Sequence, residues 1–285
     1  MRLLLLLVLS ASWSIAHGLT VCADPNNLPF SNRAQQGFEN KLVRLLAREL
    51  HTPVRYLWWA QRRGFARHTL AEARCDLWPG VVAGLGSMAT SRPYYASSYM
   101  FVSRADRGLH DLSLDDARLR HLIIGVQLVG DDAMNTPPAH ALAARGLVDN
   151  VRGFTLYGDY QQANPPAAIV RAVTQSAVDV ALVWGPLAGY FAAHAPVPLH
   201  LQAVEPFAQG WRMRYLICVG VRRDAPQLLQ RVDAALVKQR AAIDRLLRAY
   251  HVPRTDLAEP AELPVALAAF LPPQPSTPER THADQ

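Results

Sequence analysis

The sequence predicts an α/β protein of two lobes, each a mostly parallel sheet flanked by helices. Three observations predict it. The hydrophobic period switches repeatedly between 2 and 3.6 along the chain, the signature of strands alternating with covering helices. The alternation runs once and then restarts, so that two α/β units stand in series. With 285 residues, 50% of them apolar and 18% charged, the chain can bury a large core, and a wholly disordered or fibrous protein is excluded.

Each element follows from its local pattern. Residues 19–23 (LTVCA) form a short β-rich run, and from Gly37 onward Phe38, Leu42, Leu45, Leu46 and Leu50 recur at helical spacing with Lys and Arg opposite. A second strand is predicted over 53–58, a second helix over 65–73 and a third strand over 76–82. After a strand at 99–103 the pattern begins again. Strands at 122–127, 151–156 and 178–183 alternate with helices at 137–145, 167–176 and 186–193. A strand at 213–221 then leads into a long helix at 226–250, whose apolar side carries Leu228, Leu229, Val232, Leu236, Ile243, Leu246 and Leu247. One strand and one helix cannot make a third domain, so the chain is expected to return to the first lobe. Lobe 1 then comprises 19–105 and 210–251, and lobe 2 comprises 106–209. The two crossings near 103–109 and 204–212 predict a hinge with a cleft between the lobes.

The two ends read differently from the body. Arg2, the apolar run 3–9 and the small residues of Ser14-Ile15-Ala16 make 1–18 a secretory signal peptide with cleavage after Ala16; the apolar run is too short for a span of about 20 residues. The mature protein is therefore expected in the periplasm, without stable membrane insertion. Residues 252–285 carry seven prolines between Pro253 and Pro278 and read as a Pro-rich, partly disordered tail, within which only 263–271 is apolar enough to pack back.

Charge and motifs narrow the function by exclusion. The net charge of +6 is spread along the chain without a run of five like charges, which argues against nucleic-acid binding and suits an acidic protein partner. Cys22, Cys75 and Cys218 have no CxxC spacing, so no structural metal is expected and at most one disulfide can form. Residues 84–89 match GxGxxA after a strand, but Pro93 stands where a phosphate-binding helix would run. There is no GxxxxGK[ST], HExxH or GxSxG motif, and the histidines at 68, 121, 194 and 251 fall on helices or their ends. Nothing assembles an activated nucleophile with its base, so no catalytic residue and no cofactor are expected.

A family resemblance rests on ordered blocks: LTVCADPNNLPFSN, GFENKLVRLLARELHTPVRYLWWAQRRGF, CDLWPGV, SRPYYASSYMFVSR, LIIGVQLVGDD, NTPPAHALAARG, GDY and VDVALVWGPLAGYF. Together, over about 19–250, they resemble periplasmic solute-binding-protein family 3. More specifically they resemble its quinoprotein-dehydrogenase-associated branch, the MoxJ/XoxJ-type proteins encoded beside methanol dehydrogenases. WWAQRRGF, NTPPA and VWGPLAGY carry the specificity. The resemblance implies a type II periplasmic binding protein that is no oxidoreductase itself. It implies an accessory role for a pyrroloquinoline-quinone-dependent alcohol dehydrogenase.

The sequence departs from the amino-acid binders of that fold. They hold a ligand carboxylate with an Arg in a TxxxR-like loop and with a Gly-Thr-Thr loop, since a carboxylate needs a cation and convergent N–H donors. Here the first loop is shortened, with Arg92 directly beside Pro93-Tyr94-Tyr95, and the second reads Gly130-Asp131-Asp132, whose charge repels a carboxylate. The Asp expected shortly after a VDA strand is replaced by Trp184-Gly185. A free α-amino acid is therefore not the expected ligand.

The residues expected at the cleft or its rim are Asn27, Phe30, Trp59, Gln61, Arg62, Arg63, Arg92, Tyr94, Tyr95, Asp131, Asp132, Asn135, Asp159, Tyr160 and Trp184. Trp, Tyr and Arg dominate binding hot spots because they bury much area at small entropy cost and still hydrogen-bond. Trp58 and Trp59 alternate on a strand, so one is expected in the core. Arg62 and Arg63 could instead be solvated or paired. Asp131 and Asp132 could serve loop and cap chemistry, with Thr136 at N-cap and Pro137 at N1.

A 2-1-3 sheet order would bring Cys22 and Cys75 into the same part of lobe 1. Bridging needs Cα atoms within about 7 Å, and register is not readable from the sequence. Cys218 is expected to be a buried free thiol. The expected function is support of a quinoprotein alcohol dehydrogenase, or of its cytochrome c, by protein contact. The alternative is a receptor for a small hydrophobic or aromatic solute such as the quinone cofactor, its carboxylates paired by Arg62, Arg63 and Arg92.

Overall fold

A computed structural model describes residues 18–257 except 63, 130–134, 158–159 and 209. The expected signal peptide, apart from Gly18, and all but the first residues of the Pro-rich tail lie outside the described residues. The described chain divides into two compact units: residues 18–94, 157–164 and 218–249 form the first, and residues 95–156, 165–217 and 250–257 the second. These divisions fall up to about ten residues from the lobe limits expected of the sequence, and residues 157–164 belong to the first unit although both flanks belong to the second.

The first unit opens with β1 (Leu19–Ala23), the short hairpin β2 (Asn26–Asn27) and β3 (Ser31–Asn32), and α1 (Phe38–Leu50). It continues through β4 (Val54–Trp58), α2 (Phe65–His68), β5 (Leu77–Val82) and β6 (Ala89–Thr90). β1 runs parallel between β4 and β5, pairing Cys22 with Leu57 and Val21 with Leu77. α1 begins at Gly37, where any side chain would collide with the Phe30 backbone, and the Asn40 side chain accepts from the Gly37 N–H. It ends at His51 in the left-handed conformation. Its apolar stripe of Phe38, Leu42, Val43, Leu46 and Leu50 is buried, as the spacing demands.

The second unit is built on β7 (Tyr95–Arg104), β8 (Ile124–Gln127), α3 (Pro137–Ala143), β9 (Val151–Phe154), α4 (Ala168–Thr174), β10 (Val180–Trp184) and α5 (Gly185–Ala193). β11 (Leu199–Ala203) and the hairpin β12 (Phe207–Ala208) and β13 (Trp211–Arg212) follow. β8 is parallel to both β9 and β10, whereas the long β7 is antiparallel to β10 and to β11. The sheet is therefore mixed. Its core is lined by Phe101, Leu119, Ile124, Val126, Leu142, Val180, Leu182 and Met213.

β14 (Arg214–Val221) pairs its first residues with β7 and its last with β6. From it the chain enters α6 (Pro226–Lys238) and α7 (Arg240–Ala249). The single helix expected over 226–250 is thus two, separated at Gln239. Glu49 of α1 accepts a hydrogen bond from the Gln239 side chain and pairs with Lys238, fixing the break. The helix expected over 65–73 is also short, since Thr69 turns its hydroxyl back onto the Phe65 carbonyl at 2.6 Å and leaves helical geometry.

Cys22 and Cys75 are disulfide-bonded with their Cα atoms 5.7 Å apart, and Cys218 is free and buried in the same apolar cluster as Phe65, Leu70, Val81 and Met88. Burial pushes the Cys218 thiol up to about 12, so it stays a neutral, small apolar side chain.

Candidate functional site

The first unit carries an open pocket of about 930 Å³ at the carboxyl ends of β1 and β4. Asp24, the residue after β1, ties the two loops together. One carboxylate oxygen accepts from the Asn26 N–H at 2.7 Å and the other from the Gln61 N–H at 2.6 Å. The Asn27 side-chain amide donates to Gln61 Oε1 at 2.9 Å, and the Ser31 hydroxyl donates to the Asp24 carbonyl. Burial raises the Asp24 carboxyl above its ordinary range, an effect opposed by the two backbone N–H groups and by Arg62.

Around this latch the lining is aromatic and cationic. Trp58, Trp59 and Tyr160 supply rings, Arg33, Arg62 and His68 supply basic groups, and Gln161 and Gln162 complete one wall. That wall is held by Asn26, whose side-chain amide donates to the Gln162 carbonyl at 2.8 Å. Trp59 is 37% exposed; the Arg74 guanidinium lies 4.7 Å from its ring centre and the His68 ring 6.2 Å away. Tyr160 is 51% exposed, and desolvation leads the causes that raise its hydroxyl. Flat rings flanked by guanidinium groups suit an aromatic or acidic surface, through stacking and charge-assisted hydrogen bonds.

The expected site residues divide into several groups. Trp59, Arg62 and Tyr160 line the pocket, and Gln61 and Asn27 brace it from beneath, Asn27 being only 1% exposed. Trp58 is half-buried, stacked on Tyr56 at 4.7 Å, and also lines the pocket, so neither tryptophan is a core residue. β4 is an edge strand with one neighbour, which leaves its end open to solvent. Phe30 is not a rim residue: it is buried and packs on Phe38 with ring centres 5.4 Å apart.

Tyr94 and Tyr95 also correct an expectation, since both are 2% exposed. They lead into β7, whose residues 95–98 are sheet-paired with β14, and that pairing puts this stretch inside the fold. Arg92 is exposed but lies outside the pocket, its N–H donating to Asp233 of α6. The Asn135 side chain accepts from the Val129 N–H at 3.1 Å. Thr136 is the N-cap and Pro137 opens the helix, yet the Thr136 hydroxyl donates to the Gln127 carbonyl instead of capping it. Arg63, Asp131, Asp132 and Asp159 lie outside the described residues.

In the second unit Trp184 stands edge-on to Tyr99, with ring centres 5.3 Å apart, and to Tyr215 at 6.0 Å. Gly185 follows it because a side chain there would collide with Ser97. Sequence reasoning missed Tyr99 and Tyr215, and it missed Arg33, His68 and Gln162 in the first unit. The partners at 33 and 162 come from a distant part of the chain or from loops without periodicity.

No family model matches the chain. Protein MoxJ of Methylorubrum extorquens is 27% identical over 82% of this chain and 81% of its own length. The crystal structure of the periplasmic binding protein XoxJ from Methylobacterium extorquens AM1 is 32% identical, with a TM-score of 0.68 over 84% of this chain and 99% of that one. The chain belongs to the MoxJ/XoxJ family. MxaJ from Methlophaga aminisulfidivorans MPT matches in fold at a TM-score of 0.73 and 27% identity, over 83% of this chain and 100% of that one. The fold is that of type II periplasmic binding proteins, and this member is a MoxJ-type binding protein. Among the described residues no helix is long and apolar enough to cross a membrane.

Proposed function

We propose that the protein is a non-catalytic, periplasmic accessory protein that supports maturation or activation of a PQQ-dependent, methanol-type alcohol dehydrogenase by protein contact. The observation that carries this reading is the exposed Trp59, set between Arg74 and His68 on a pocket rim that also holds Arg33, Arg62 and Tyr160. These side chains are the types that anchor protein interfaces, and the pocket is open enough to admit a segment of a folded partner. An acidic loop of the dehydrogenase or of its cytochrome c would pair with the guanidinium groups while its apolar residues cover the rings. The test is affinity capture from periplasm with tagged wild-type protein and with Trp59→Ala/Arg62→Ala. The dehydrogenase is recovered with the wild type and lost with the variant; equal recovery would refute the reading.

A second reading is favoured by the size of the pocket. About 930 Å³ lined by three aromatic rings and two arginines also fits a planar, carboxylated solute such as the quinone cofactor. On that reading the free quinone raises the thermal midpoint in proportion to the logarithm of its concentration, and Arg62→Ala removes the rise.

A further inference from the structure

On the second unit, away from the residues used above, His110 and His200 face each other across the gap between a loop and a strand. His110 Nδ1 lies 3.5 Å from His200 Nε2, and the rings stand edge-on with centres 4.5 Å apart. Two ligands of one tetrahedral zinc ion, at bond lengths of about 2.0–2.1 Å, have nitrogens about 3.4 Å apart. The pair is therefore already at the spacing of two ligands on a common ion.

The surrounding structure holds that spacing. His200 and Gln202 lie on one face of β11, two residues apart, and β11 is fixed by its pairing with β7. Gln202 clamps Leu112, two residues beyond His110, with both ends of its amide: its Nε2 donates to the Leu112 carbonyl at 2.6 Å and its Oε1 accepts from the Leu112 N–H at 3.0 Å. The His110 carbonyl accepts from Arg118, whose guanidinium charge is matched by Asp116 at 2.6 Å. The amide cross-link thus holds the loop on the strand and keeps the two imidazoles side by side. His110 is exposed and His200 half-buried, so an ion has access.

We propose that His110 and His200 form a two-imidazole site for a divalent transition-metal ion of the Cu²⁺, Ni²⁺ and Zn²⁺ class. Each ring presents its facing nitrogen as a lone pair and carries its proton on the other nitrogen. Among the described residues no group of three or more His, Cys, Asp and Glu side chains is placed to hold a metal. Water or a donor from a second molecule completes the coordination, and two imidazole donors with no carboxylate select against Ca²⁺ and Mg²⁺.

The test is calorimetric titration of the metal-free mature protein with Ni²⁺, Zn²⁺ and Ca²⁺, in the wild type, His110→Ala, His200→Ala and the control His194→Ala. The site predicts one equivalent of Ni²⁺ or Zn²⁺ that is present in the wild type and in His194→Ala. Each of the other two variants weakens that equivalent tenfold or more, and Ca²⁺ gives no such step. Thermal unfolding without metal confirms that the variants fold. An isotherm unchanged by either His110→Ala or His200→Ala, or no metal uptake by the wild type, overturns the proposal.

Discussion

The Glu39 carboxyl on α1 occupies the space that a side chain at Gly80 on β5 would need: a Cβ at residue 80 would overlap Glu39 Oε1, and Gly80 also has a φ of +81°. Helix and strand approach this closely only because residue 80 is glycine. Gly80→Ala combines a collision with left-handed backbone and should cost about 1–3 kcal/mol, read as a lower denaturation midpoint.

The same contact has a pH signature. Burial raises the Glu39 carboxyl well above its ordinary value of 4.5. An acid whose folded value is raised contributes its stability fully below the unfolded value and loses it as pH rises through the folded one. The difference in thermal midpoint between Glu39→Gln and wild type should therefore grow in favour of the variant as pH rises from about 4 to neutral. Parallel curves would show that Glu39 finds a compensating partner.

The Cys22–Cys75 bridge closes a loop with a sequence separation of 53 residues. By chain entropy such a bridge stabilises by about 4 kcal/mol. Cys22→Ser/Cys75→Ser should lose most of that, while Cys218→Ala, which removes only a buried thiol, should cost less than about 2 kcal/mol. Equilibrium unfolding under oxidising conditions checks both.

Gly189 on α5 sits against the backbone after α7, where a Cβ would collide with the His251 carbonyl and Pro253 Cδ. This contact belongs to the segment after α7, whose Thr255 pairs with Ala96 and whose Pro253 carbonyl accepts from Ser97 at 2.6 Å. Gly189→Ala should loosen that segment, seen as faster hydrogen exchange at the Thr255 N–H, which donates to the Ala96 carbonyl.

Much of the fold was legible in the sequence. The stripe of α1 and the burial of Cys218 follow from periodicity and composition, whereas the 2-1-3 order around β1 was assumed as the usual one for such a sheet, and the structure has it. β11 was not anticipated, although Leu199 and Leu201 alternate with His200 and Gln202; the prolines at 196 and 198 directly before it keep the alternating run short. Three features were not readable. The break at Gln239 depends on Glu49, nearly two hundred residues away. The burial of Tyr94 and Tyr95 depends on how far β7 extends towards β14. The pocket wall at Gln161 and Gln162 depends on residues 157–164 joining the first unit, which no local pattern encodes.

The pocket itself separates stability from recognition. Trp59 is exposed, so Trp59→Ala removes about 1 kcal/mol or less of folding stability through its contact with Arg74. As the anchor of an interface it should cost 2 kcal/mol or more in partner affinity, a weakening of about thirtyfold or greater by direct binding assay.

The most direct measurement is quinone occupancy of the dehydrogenase in a strain lacking this protein, complemented either with the wild type or with Trp59→Ala/Arg62→Ala. Occupancy per dehydrogenase molecule should be restored by the wild type and stay at the deletion level with the variant, while both proteins accumulate equally. Equal restoration by both, or full occupancy without any complementation, would contradict an accessory role exercised through this rim.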